Sequence, residues 1–82
     1  MNVKAPTQNK EGVNDLFDAV MKQQGLRNDA KLSLFLQVAP PVISKMRHGI
    51  LPVGPSMILN LHERAGLPVS VIREYLALEV TK

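Results

Sequence analysis

Apolar side chains recur along this chain at three- and four-residue intervals, and each run is bounded by glycine, proline or a capping residue. From about Glu11 to Gln24 they are Val13, Leu16, Phe17, Val20 and Met21, the spacing of one helix face. Asn9 is placed to cap that helix, Gly25 follows its end, and Leu26 falls where it packs back on the last turn. Asn28 is a good N-cap for a second helix, and Asp29 beside it suits the positive end of the helix dipole. Leu32, Phe35 and Leu36 form that helix's buried stripe, and Val38 plugs the turn after it. Pro40 and Pro41 open a third helix. Proline costs little there because its missing N–H has no intrahelical acceptor, and its fixed φ offsets the weak cap at Ala39. Ile43 and Met46 face inward, Val42 flanks them half-exposed, and Gly49 ends the helix.

A loop from Ile50 to Pro55 follows, with Leu51 and Val53 as apolar tethers. The spacing predicts a fourth helix from about Ser56 to Ala65, with Met57, Ile58 and Leu61 inward and Gly66 beyond its end. Val69, Ile72, Tyr75 and Leu76 carry a fifth through about Glu79, while Leu78 and Val80 lie off that face. The surplus apolar side chains Tyr75, Leu78 and Val80 are read as a dimer interface, with intramolecular packing of Tyr75 as the alternative. Residues 1–10 show no periodicity and read as a mobile N-terminal arm, whose Lys4 and Lys10 could reach a nucleic-acid backbone or fray in solvent. Five short helices and no strand make an all-α fold, with one domain over residues 11–80.

Composition narrows the classes. With 82 residues, 45% hydrophobic and 21% charged, the chain is sized for one small domain of ordinary globular make-up. A domain of this size buries only about 60–65% of its unfolded surface, so dimerisation would help its stability. It holds no cysteine, which excludes disulfides, thiolate metal sites and a cysteine nucleophile. No apolar run nears the roughly 18 residues of a membrane span, and the N-terminal residues lack an apolar signal core, so a cytoplasmic protein with no membrane partner is expected.

Charge changes the picture most. The net charge is +3, and residues 26–50 hold all of it: Arg27, Lys31, Lys45 and Arg47 stand there against Asp29 alone. A basic element on a neutral body is the footprint of a nucleic-acid binder; a solvated basic face is the alternative. Ser44, Lys45, Arg47 and His48 fall outside the inward stripe of the third helix. His48 and His62 are not spaced as a ligand pair; His48 suits capping or a phosphate contact, and His62 a surface role. No metal or cofactor is expected. No serine has a His/Asp arrangement and no glycine-rich phosphate loop is present, so catalysis is not expected.

The run from Asn28 to Gly49 resembles the helix-turn-helix of phage-repressor and Cro-type regulators, the XRE family. Leu32, Ser33, Leu36, Val38, Ile43 and Met46 occupy the family's apolar and small positions, and Ser44-Lys45-Met46-Arg47-His48-Gly49 is similar to its ending. At Ser33 a small residue would let a neighbouring helix approach. Gln37 stands where a turn glycine is common, which calls for a strained or altered backbone, and Asp29 stands near a glutamine that in many members touches phosphate.

The resemblance implies a compact five-helix, lambda-repressor-like DNA-binding domain over roughly residues 11–79. The third helix, about 40–48, would be its recognition helix, set in the major groove of a two-fold double-stranded DNA operator. Pro40, Pro41, Ser44, Lys45 and His48 would meet base edges, while Arg27, Asn28, Lys31 and Arg47 would meet phosphates. A homodimer would place two such helices about 34 Å apart. The expectation is a sequence-specific transcriptional regulator, a repressor of phage, prophage or toxin–antitoxin type. The alternative is a helical protein-interaction module or antitoxin-like adaptor whose main ligand is a protein, such as a toxin.

Overall fold

The expected helix periodicity is realised in a computed structural model that describes residues 10–76. Five helices run in order: α1 (Lys10–Gln24), α2 (Asp29–Leu36), α3 (Pro40–Arg47), α4 (Pro55–Ala65) and α5 (Val69–Tyr75). Among the described residues there is no strand, and no helix is long and apolar enough to cross a membrane. The arm at residues 1–9, the Asn9 cap, the extension of the last helix to Glu79, and Leu78 and Val80 lie outside the described residues.

One apolar cluster organises the rest. Leu16, Phe17 and Val20 of α1 meet Leu32 and Leu36 of α2, Ile43 of α3, Leu61 of α4 and Ile72 of α5, all fully buried. The main pairs in contact are α2 with α3 and α4, α1 with α3 and α5, and α4 with α5. Each fully buried aliphatic or aromatic side chain contributes roughly 1.5–3 kcal/mol of transfer free energy, so this shared cluster holds together helices too short to persist alone.

Ser33 is 2% exposed on α2, and its hydroxyl donates to the Ala30 carbonyl at 2.8 Å, as a small residue at a close helix approach should. Asn28 caps α2 as expected, its Oδ1 accepting the Lys31 N–H at 2.9 Å. Some local expectations shift. Lys10 is the first residue of α1 rather than part of an arm. Leu51 is exposed and only Val53 tethers the loop. Val69, the first residue of α5, is exposed, and Phe35 is half-buried at the rim of the core.

The two junctions of α3 differ in backbone. After it, Gly49 takes φ 76°, and the Ile50 N–H closes on the Lys45 carbonyl at 2.9 Å. Before it, Gln37 takes φ 58° and ψ 45° with the Val38 N–H on the Ser33 carbonyl at 3.0 Å. Gln37 is the non-glycine residue with positive φ among the described residues. A left-handed conformation costs a side-chain-bearing residue roughly 1–2 kcal/mol, so the altered backbone expected at this turn is present.

Candidate nucleic-acid interface

Helix α3 divides cleanly by angle. At about 100° per residue, Pro40, Pro41, Ser44, Lys45 and His48 fall within an arc of about 140°, and all five are exposed. Val42, Ile43 and Met46 fill the opposite arc, with Ile43 and Met46 buried. The structure thus brings the five expected base-contact residues together on one outer face. Lys45 has no ion pair among the described residues. His48 lies at the C-cap, its Nδ1 2.7 Å from the Ser44 carbonyl. A carbonyl only accepts, so Nδ1 carries the hydrogen there, and in the neutral ring Nε2 is left as an acceptor.

Arg27, Asn28 and Lys31 are exposed at the start of α2. The Asn28 side-chain oxygen is committed to its cap, so the amide nitrogen and the neighbouring backbone N–H groups are what it can offer an anion.

Arg47 lies elsewhere than the exposed outer position that a phosphate contact calls for. Its side chain is 16% exposed and turned inward. Nε donates to Asp29 at 3.0 and 3.2 Å, Nη1 to Asn14 Oδ1 at 2.6 Å, and Nη2 to Asp18 at 3.0 Å. The guanidinium carbon lies 5.6 Å from the Phe17 ring centroid, and Nη2 is 3.4 Å from Met21 Sδ. Most of the fork is taken up by α1 and α2, so Arg47 joins helices rather than standing free on the outer face. The spacing puts Arg47 four residues after Ile43, on the rim of the buried edge, but does not carry which way its side chain turns.

Sequence reasoning also missed the partners. Asn14 sits at the edge of the α1 stripe, and its Nδ2 donates to the Arg47 carbonyl at 3.0 Å as well as to that of Lys10. At the other end of α3, Asn60 of α4 donates to the Leu36 carbonyl at 2.6 Å, and Arg64 joins Asn60 Oδ1 (2.7 Å) to Gln37 Oε1 (2.9 Å). Both α4 residues lie one turn apart beside Met57 on the helix wheel, a polar seam that hydrophobic periodicity alone does not register.

A shallow groove of about 240 Å³ runs between α3 and the start of α4, floored by Val38, Val42, Met46 and Met57. Tyr75 is half-buried and packs against the common core, so its ring serves intramolecular packing at least in part. His62 rests its Nδ1 2.7 Å from the Leu67 carbonyl, at the end of α4.

Comparison of the chain with protein-family models, with curated proteins and with solved structures gives no match.

Proposed function

We propose that this chain is a sequence-specific double-stranded DNA-binding regulator, a cytoplasmic repressor that seats α3 in the major groove and binds a two-fold operator as a homodimer. The observation that carries the reading is the outer arc of α3. Five exposed residues that can meet base edges share one face, while the helix is anchored by its other side. Charge supports it. Arg47 is paired with Asp29 inside the domain, so the chain's excess of +3 corresponds to three exposed side chains, Arg27, Lys31 and Lys45, on and beside that helix. Lysine donates to guanine O6 and N7, serine serves either kind of base edge, and proline offers apolar contact to a thymine methyl. Two prolines leave few polar groups at the helix tip, so DNA shape supplements direct readout.

Selection of binding sites from a random duplex pool tests the reading. The expected product is an inverted repeat with half-sites about one helical turn apart. Lys45→Ala should relax preference at one position of each half-site and leave the fold unchanged. A pool that yields no enriched sequence overturns the proposal. The alternative reading, a protein-interaction module, is favoured by the exposed Leu34 and Ile50, 71% and 72% accessible. Salt separates the two: binding by phosphate neutralisation weakens steeply and linearly in log–log form, whereas binding to a protein through apolar side chains does not.

A further inference from the structure

Helix α3 has eight residues and buries two side chains in the core, Ile43 and Met46. Two apolar anchors three residues apart define a line of contact but not the rotation of the helix about it. Arg47 supplies the missing constraint. Its guanidinium bonds α1 through Asn14 and Asp18, and α2 through Asp29, while Asn14 returns a bond to the Arg47 carbonyl at the last turn of α3. Three helices therefore converge on one side chain, packed over Phe17 in the core.

We propose that Arg47, held by Asn14, is a positioning residue for DNA readout: it fixes the rotation and pitch at which α3 presents Ser44, Lys45 and His48. The inference rests on the DNA-binding reading above and deepens it. A planar fork suits this site, because Nε, Nη1 and Nη2 donate from three separate atoms held in one plane, one each toward Asp29, Asn14 and Asp18. Lysine keeps the charge but, as a compact ammonium on a flexible stem, does not hold that geometry.

The test uses Arg47→Lys and Asn14→Ala in the full chain, neither of which changes net charge. Affinities for the selected operator and for a scrambled duplex are measured across a salt series, with circular dichroism confirming fold. A positioning role predicts that each variant loses about tenfold in operator affinity, the scale of one misplaced base contact. Affinity for the scrambled duplex and the salt slope should stay at wild-type values. A merely structural role would lower both affinities together in proportion to the unfolded fraction. Arg47→Lys with wild-type operator preference overturns the proposal, as does folded Asn14→Ala with an unchanged ratio of specific to non-specific affinity. Should Arg47→Lys fail to fold, Asn14→Ala decides alone. If the wild-type chain selects no operator, the DNA-binding reading falls and this inference with it; if it selects one and the ratio does not move, only the inference falls.

Discussion

The two ends of α3 are held by different means. At its start the backbone does most of the holding: a left-handed residue at Gln37, turn hydrogen bonds at 3.0–3.1 Å and two prolines fix the path, and α4 adds Asn60 and Arg64 from outside. At its end a left-handed Gly49 and backbone bonds close the helix, and one side chain of α3 itself, Arg47, adds bonds to two other helices. Hydrogen bonds and ion pairs among exposed groups are worth little because water competes for both partners, whereas the same bonds at a half-buried site are screened less. The end of α3 should therefore be the energetically sharper junction, and the start the more tolerant one. Lys45 and Arg47 show the same contrast at shorter range. Two residues apart on one helix, one cation faces solvent and the other is absorbed by the fold, so a count of basic residues overstates what is available to a ligand.

The largest effect follows from Arg47→Ala. It removes charge-assisted bonds to Asp18 and Asp29, leaves Asn14 short of a partner, and strips the guanidinium that lies over Phe17. Urea unfolding should show a loss of about 2–3 kcal/mol with an unchanged m-value. Both carboxylates are substantially exposed and regain water, which keeps the loss below that of a fully buried pair broken on one side. A loss under about 0.5 kcal/mol, the range of an ordinary surface substitution, would remove the asymmetry between the two ends.

Asn60→Ala probes the other end. The Leu36 carbonyl loses its 2.6 Å donor and Arg64 loses one anchor, but water reaches the half-open site. The expected loss in the same urea experiment is about 1 kcal/mol. A loss equal to that of Arg47→Ala would mean that both ends are clamped alike.

The helices, and nearly all of the core, were legible in the sequence because both rest on local spacing. Val13, Leu16, Phe17 and Val20 repeat at helical intervals, and glycine, proline and asparagine mark the ends. The outer arc of α3 was legible for the same reason. What spacing does not carry is the pairing of polar groups across helices: whether Arg47 points to solvent or to Asp29 depends on where α1 and α2 lie, with 18 residues separating the pair in sequence. Asn14 and Asn60 were invisible for that reason, since a polar residue beside a stripe looks alike whether it faces water or a neighbouring carbonyl. The exposure of Leu51 and Val69 has another cause: apolar residues in a loop or on a first turn need not be reached by the core.

The smallest effect, and the most discriminating, belongs to Gln37→Gly. Two terms oppose each other. Glycine removes a left-handed penalty of roughly 1–2 kcal/mol, but it enlarges the freedom of the unfolded chain by roughly 0.5–1 kcal/mol. It also deletes the acceptor for Arg64 at 2.9 Å, an exposed bond worth a few tenths of a kcal/mol at most. The balance is a gain of about 0.5 kcal/mol, read as a small rise in the urea midpoint. The sign is what matters. A gain means that the backbone path of the turn is set by hydrogen bonds and prolines, and that Gln37 is tolerated in it. A clear loss would mean that the Gln37–Arg64–Asn60 chain outweighs the strain it spans, which would make the start of α3 a side-chain clamp like its end.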